Sequence, residues 1–174
     1  MSDLGLIQVY TGTGKGKTTA SLGLAMRACG HGLKVYMIQF MKGKIDYGEL
    51  RAAEKIEGLT IEQFGRPEFV DKDNPAEEDV KLARKALQKS KEVILSGEYD
   101  IVILDEINVA IEWNLVELGD VIDLLNRKPK NVEIILTGRY ARKEIIDMAD
   151  LVSEIREVKH PFKRGMHSRL GVDF

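Results

Sequence analysis

The run Thr11-Gly12-Thr13-Gly14-Lys15-Gly16-Lys17-Thr18 carries residue types whose spacing suits one task, the cradling of phosphate. It compares with the P-loop pattern G-x-x-x-x-G-K-[ST]. There, glycines let backbone N–H groups converge on phosphate oxygens, and the following helix adds its positive N-terminal end. The Gly-Lys-Thr ending matches, while the leading glycine is replaced by Thr11, with Gly12 one place later. In such a loop Lys17 supplies a mobile positive charge and the Thr18 hydroxyl is a magnesium ligand. Gly12, Thr13, Gly14, Lys15, Gly16 and Thr19 then surround the phosphates of ATP. A glycine-rich turn that binds nothing is the plainer alternative. The strand-like run before the loop and the helical pattern after it favour the phosphate site, and the displaced glycine marks a variant loop.

A second chemical element is Ile101-Val102-Ile103-Leu104-Asp105-Glu106, an apolar strand ending in two carboxylates. Ligands gather at the C-terminal strand ends of a parallel sheet, so Asp105 and Glu106 should fall beside the phosphate loop. A carboxylate there can hold the magnesium that bridges phosphates. Acidic residues also favour the first turn of a helix on electrostatic grounds alone. No sequence context resembles a catalytic base with a phosphate-accepting hydroxyl. His31 stands in a Gly-flanked turn, and His160 and His167 lie in the tail. A reaction that needs no general base fits these residues.

These groups need a scaffold, and the chain supplies the pattern of one. Short apolar runs at 6–10, 35–40, 59–64, 101–104, 132–136 and 151–158 alternate with helical patterns at 18–29, 75–96, 115–125 and 142–148. That alternation predicts a mostly parallel sheet with helices on both faces, a single P-loop NTPase-like (RecA-like) α/β domain over residues 1–174. The first helix is expected to bury Leu22, Ala25, Met26 and Cys29 and to end at Gly30 and Gly32. The long helix is expected to use Asn74 as cap with Glu77 in capping-box spacing, and to bury Val80, Ala83, Leu87 and Ile94. Asn114 and Glu117 repeat that spacing ahead of the next helix. The tail, 159–174, has no clear period.

The bulk composition narrows the partners. Of 174 residues, 44% are hydrophobic and 31% charged, the balance of a folded globular domain. Lys plus Arg total 26 against 28 for Asp plus Glu, which argues against nucleic acid as an obligatory partner. The one cysteine, Cys29, excludes an intrachain disulfide and suits a reducing compartment. Met1-Ser2-Asp3 leads straight into a strand, with no basic n-region and no span long enough for a membrane, so a cytoplasmic location is expected.

Several blocks together resemble one family, the P-loop-type ATP:corrinoid (cobalamin) adenosyltransferases. They are residues 9–19 around the phosphate loop, Arg27-Ala28-Cys29-Gly30-His31-Gly32, Gln39-Phe40-Met41-Lys42-Gly43 and Leu104-Asp105-Glu106. Leu136-Thr137-Gly138-Arg139, residues 149–154 and the tail Lys159-His160-Pro161-Phe162 with Gly165 and Gly171 complete the set. The resemblance covers almost the whole chain, and the Gly-Lys-Gly-Lys-Thr-Thr loop paired with the Lys-His-Pro-Phe tail is far more specific than a P-loop alone. It implies that a cobalt(I) corrinoid attacks the 5′ carbon of ATP and displaces triphosphate, with the nucleotide reversed relative to ordinary P-loop enzymes. By position it implies that Gly14, Gly16, Lys17 and Thr18 hold the triphosphate, that Glu106 joins Thr18 at Mg2+, and that Arg27 lines the corrinoid pocket. It also implies a homodimer and an external electron donor for cobalt.

The chain departs from the family's pattern in three places. Thr13 stands where members often have Asn or Asp. Of the Phe-x-Trp pair that some members carry after the third strand, only Phe69 is a candidate here. Some members carry an extension ahead of the first strand, whereas this sequence starts almost at its first strand.

Arg139 and Lys42, at two further strand ends, either reach a phosphate or the corrinoid or are surface charges. Trp113 reads as packing and Cys29 as core. The basic tail residues Lys159, His160, Lys163, Arg164, His167 and Arg169 either close over an anionic ligand or form a solvated face. A P-loop ATPase or kinase and a non-catalytic nucleotide-binding module are the rival readings of the residues alone.

Overall fold

The computed structural model describes residues 4–43 and 47–173; the first three residues, part of the reading of the N-terminus, lie outside them. Six strands form one sheet: β1 (Ile7–Thr11), β2 (Val35–Phe40), β3 (Leu59–Phe64), β4 (Ile101–Asp105), β5 (Glu133–Thr137) and β6 (Leu151–Glu154). Their order is β3-β2-β4-β5-β1-β6 and every pairing is parallel. All residues of β2, β4 and β5 are buried. Strands covered on both faces read as near-continuous apolar runs, which is why these three stand out in the sequence.

The expected α/β architecture is present, with β5 inserted between the phosphate-loop strand and the acidic strand in the RecA-like manner. Parallel pairing puts the C-terminal ends of β1, β2, β4 and β5 on one edge of the sheet.

The helices are α1 (Lys17–Gly30), α2 (Gly48–Ala53), α3 (Glu77–Ser96), α4 (Ile107–Glu112), α5 (Leu118–Arg127) and α6 (Lys143–Met148). On β2 the pleat sends Val35 and Met37 towards α1, and Tyr36, Ile38 and Phe40 into the opposite cluster with α3, α4 and α5. Helix α1 buries Lys17, Ser21, Ala25 and Ala28, a stripe rotated from the expected one, while Met26 is 62% exposed and Cys29 half-buried. Small residues at 21, 25 and 28 let the helix lie close to the sheet, and the larger Met26 turns outward.

Other boundaries move for identifiable reasons. Helix α3 is capped at Ala76, not Asn74, because the Asp79 carboxylate accepts from the Ala76 N–H (3.1 Å). Helix α4 is absent from the expectation: its first five residues are all buried, so it shows no amphipathic period. Leu115 and Val116 pack into the core from a turn, and α5 begins only after Glu117. Strand β6 stops at Glu154, because the next residue leaves the ladder to bond the phosphate loop. No helix among the described residues is long and apolar enough to cross a membrane.

Loop 65–76, which follows β3, is tied to α3 by a two-pronged pair. Arg66 Nε and Nη2 donate to the two oxygens of buried Asp79 at 2.7 and 2.9 Å. Arg66 and the Ala76 N–H hold that carboxyl below its ordinary value of 3.8, against the opposing effect of burial. A depressed carboxylate contributes stability above about pH 4 that is lost as pH falls through the folded-state value. Arg66→Gln is therefore expected to lower the melting temperature at neutral pH by roughly 5 °C. The gap from the unaltered protein should close on acidification, measured by thermal melts between about pH 7 and pH 2. A gap that stays constant with pH would contradict this assignment.

Candidate functional site

The loop between β1 and α1 is shaped by its own backbone and by a neighbour behind it. The Gly14 N–H donates to Ile155 O (2.7 Å), and the Ile155 N–H donates to Thr11 O (2.8 Å). This seam is so close that a Cβ at Gly12 would stand 2.4 Å from Ile155 O, and one at Gly14 would stand 2.7 Å from the Arg156 carbonyl carbon. The glycines thus serve the packing of segment 155–156 as well as the phosphate side. Gly16, at φ +120° with open space around it, is needed for its backbone angle alone.

Lys17 is only 6% exposed, and its ammonium donates to Gly12 O (2.8 Å) and Gly14 O (2.7 Å). Burial pulls its pKa down. Glu106 and Asp105 oppose that pull and Arg139 adds to it, and the net shift is downward. The lysine is already folded over the loop's inner carbonyls, next to the place where phosphate oxygens would offer stronger, charged acceptors.

Beneath the loop lies Asp105, fully buried at the end of β4. Its Oδ1 accepts the hydroxyls of Thr18 (2.9 Å) and Thr137 (2.7 Å), and its Oδ2 accepts Lys42 Nζ (2.8 Å) and Gln39 Nε2 (3.2 Å). Asp105 is not among the residues that line the cavity and holds the Thr18 hydroxyl from beneath. Glu106, the next residue, does line the cavity. It is held in the left-handed region (φ +65°) as the cap of α4, with its N–H donating to Thr137 Oγ1 at 2.9 Å. Burial and then Asp105 push the Glu106 carboxyl up, against Lys42, Lys17 and Arg139.

Met41, Glu106 and Tyr140, which follow β2, β4 and β5, are all non-glycine residues at positive φ, an unfavourable geometry costing about 1–2 kcal/mol each. Among the described residues only Asn114, after α4, shares this geometry without following one of those strands.

A cavity of about 730 Å³ opens over these groups. Thr13, Gly14, Lys15, Gly16, Lys17, Thr18 and Thr19 form its floor, with Lys42, Glu106 and Arg139 beside them. The tail forms the other wall: Lys159 to Phe162, Met166 to Arg169 and Gly171 to Asp173 all face it. The tail is thus folded back on the loop, around a short 3₁₀ turn at Pro161–Arg164. Lys15 ion-pairs with Asp173 and donates to Val172 O (3.1 Å), while Arg169 Nε holds the same carboxylate at 3.1 Å.

Sequence reasoning found most of this set but not all of it. Gly12 lies under the floor as an acceptor for Lys17. Arg27 is exposed ten residues along α1 from Lys17, about 15 Å away along the axis, and does not line the cavity. Phe69 is 99% exposed in loop 65–76 and does not line it either. Thr137, Gln39 and Asp173 carried no assignment. A polar residue closing an otherwise apolar strand was the available signal for Thr137. Asn108, the second residue of α4, is fully buried with neither side-chain polar atom bonded among the described residues, packed where Gly138 leaves room.

Among the described residues no group of three or more His, Cys, Asp or Glu could hold a metal ion. The Thr18 hydroxyl and the Glu106 carboxylate, both on residues that line the cavity, are hard oxygens. They suit Mg2+, which takes one or two protein ligands and completes its shell with phosphate and water.

Residues 3–174 match the model of a family described as ATP:corrinoid adenosyltransferase BtuR/CobO/CobP. A corrinoid adenosyltransferase of a Sinorhizobium species is 38% identical over 172 residues, 98% of this chain and 80% of that protein. The corrinoid adenosyltransferase of Escherichia coli K12 is 38% identical over 170 residues, covering 98% of this chain and 86% of that protein. The corrinoid adenosyltransferase CobA of Salmonella typhimurium is 37% identical over the same shares. Among solved structures, the flagellar accessory protein FlaH of Methanocaldococcus jannaschii aligns with a TM-score of 0.58 at 16% identity, over 86% of this chain and 70% of that one. That last likeness is one of fold alone.

The position of Lys17 yields a direct test. Lys17→Ala should weaken the binding of inorganic triphosphate by about ten- to a hundredfold, the worth of a charge-assisted contact, read by titration calorimetry. An affinity within twofold of the unaltered protein would remove Lys17 from the phosphate site.

Proposed function

This chain belongs to the ATP:corrinoid adenosyltransferase family BtuR/CobO/CobP, and from that membership we propose how its residues divide the work. The reaction moves the 5′-deoxyadenosyl group of ATP to a cobalt(I) corrinoid. Cobalt supplies the electron pair for the new cobalt–carbon bond, the bond from carbon 5′ to oxygen breaks, and triphosphate leaves with that bond's electrons. The nucleophile is the corrinoid itself, so the protein has no proton to remove. Its task is to align the two substrates and to stabilise charge on the leaving triphosphate.

The observation that carries this reading is a single cavity in which the loop 13–19, Glu106 and Arg139 face the folded-back tail. In the proposed arrangement Gly16 and Thr19 present backbone N–H groups to the triphosphate, while Gly14, whose own N–H is taken by Ile155 O, lets the loop floor lie flat beneath it. Lys17 exchanges the carbonyls of Gly12 and Gly14 for phosphate oxygens, and Arg139 adds a second cation. Thr18 and Glu106 would hold Mg2+, whose charge, when it is bound, offsets that of the phosphates. Lys15 reaches the triphosphate on leaving Asp173. The nucleotide runs in the reversed sense, which brings carbon 5′ to the corrinoid side of the cavity. Arg27 and Phe69, away from the cavity, serve the corrinoid only where that large ligand extends beyond it. A homodimer, a cytoplasmic location and an external electron donor that keeps cobalt in the +1 state complete the reading.

The decisive experiment is anaerobic, with purified protein, magnesium-ATP and chemically reduced cobalamin. Loss of the cobalt(I) absorption with an equal yield of triphosphate is the expected result. ATP cleaved to ADP and phosphate with the corrinoid unchanged would instead indicate an ordinary P-loop hydrolase. In the same assay Glu106→Gln should raise the magnesium concentration needed for half-maximal rate severalfold, because one anionic donor is lost. An unchanged magnesium titration would remove Glu106 from the metal site.

A further inference from the structure

Lys42 follows β2 and looks at first like a cation placed to meet a ligand. Its surroundings give it a different task. Its ammonium is 2.8 Å from Asp105 Oδ2, its side chain is 19% exposed, and Asp105 is fully enclosed. Burial acts to lower the lysine's pKa, yet Asp105, with smaller help from Glu106 and Glu49, drives the net shift upward. The ammonium also lies 5.6 Å from the centre of the Tyr47 ring. Among the described residues its ion pair is inward, to the acid under the loop, while the residue itself lines the cavity.

The main chain around Lys42 is held as firmly as its head. The Met41 N–H donates to Phe64 O (2.9 Å), and Met41 itself sits at φ +58°. Gly43 crosses Gly65 so closely that a Cβ on Gly43 would stand 1.8 Å from Gly65 O, and one on Gly65 would stand 2.4 Å from the Met41 carbonyl carbon. Two glycines on adjacent strand exits thus allow a backbone crossing that no side chain permits. That crossing fixes where Lys42 starts, and its side chain then runs to a fixed end.

The two oxygens of Asp105 divide their partners: Oδ2 takes Lys42 and Gln39, Oδ1 takes the hydroxyls of Thr18 and Thr137. A Thr18 hydroxyl that gives its hydrogen to Asp105 keeps its lone pairs free for the cavity. A buried carboxylate stripped of its cation turns or admits water, because an uncompensated charge in the interior is strongly unfavourable. Thr18 would then lose the partner that orients it.

We propose that Lys42 is a positioning residue, the counter-charge that holds Asp105 so that Asp105 aims the Thr18 oxygen at the divalent cation of the nucleotide. The inference rests on the reading of the cavity as a magnesium-nucleotide site. It assigns Lys42 no contact with triphosphate or corrinoid.

The test separates aiming from contact by measuring binding in place of turnover. Titration calorimetry with inorganic triphosphate, with and without Mg2+, is run on the unaltered protein, Lys42→Met and Lys42→Arg. Lys42→Met should leave magnesium-free affinity within about twofold, and should reduce the increase that magnesium brings by about tenfold. Lys42→Arg should restore most of that increase, since it keeps the charge. Equal loss with and without magnesium would make Lys42 a phosphate contact and overturn the inference, as would a magnesium increment that Lys42→Met leaves intact.

If Lys42→Met melts too low to assay, Lys42→Met with Asp105→Asn removes both charges together. Its magnesium increment should equal that of Asp105→Asn alone, and a further loss would again overturn the inference. An unaltered protein that binds no triphosphate would sink the nucleotide reading itself, a result distinct from all of these.

Discussion

Asp105 is a carboxylate with no access to solvent, and the geometry of the site follows from how its charge is satisfied. Burying an ion is tolerable only when hydrogen bonds and a counter-charge replace the water it loses. Here the replacements come from three separate pieces of chain: Thr18 at the start of α1, Gln39 and Lys42 at the exit of β2, and Thr137 at the end of β5, all meeting β4. One interaction therefore sets the distance between the phosphate loop and the acidic strand, although β5 runs between them. It also sorts the two adjacent acids. Asp105 is consumed by the scaffold, and Glu106, one residue on and forced into the left-handed region, is the carboxylate that faces the cavity.

The glycines around the site serve the same economy of space. Gly12 and Gly14 admit the backbone of 155–156, which follows β6, and Gly43 and Gly65 admit each other. Each approach replaces a side chain with a main-chain contact, so the loops on this edge brace one another without a core of their own. The tail then closes the cavity through Lys15, Asp173 and Arg169, polar groups on partly exposed chain. Pairs of that kind are individually weak, worth up to about 1 kcal/mol, which suits a wall that must let nucleotide and triphosphate pass.

This architecture matches the chemistry of the family. A metal-centred nucleophile relieves the protein of acid–base work, and what remains is the placement of phosphate, cation and carbon 5′. The site is accordingly rich in fixed cations and strained backbone, and the carboxyl it presents beside the phosphate loop, Glu106, is pushed up by burial and by Asp105. A strained left-handed Glu106 costs about 1–2 kcal/mol, so the surrounding packing must over-determine it.

Much of this was legible in the residues alone. Buried parallel strands are long apolar runs, so β2 was placed to the residue and β4 and β5 to within one, and β3, half-buried at the sheet edge, was also placed to the residue. The phosphate loop was visible because its chemistry depends on local spacing, as were Lys17, Thr18 and the acid pair, and the order of motifs identified the family. Helix α4 was not, because a helix buried on every side has lost the periodicity that reveals helices. The stripe of α1 was rotated because Ser21 and Ala28 are buried for their smallness, which a hydrophobic pattern does not register. The partners of Asp105, the inward turn of Lys42, the reason for Gly43 and Gly65 and the return of the tail to the loop join residues tens of positions apart. Local spacing decides which atoms can do chemistry. Only the packing of distant strand ends decides which of them face the ligand and which are spent holding the others in place.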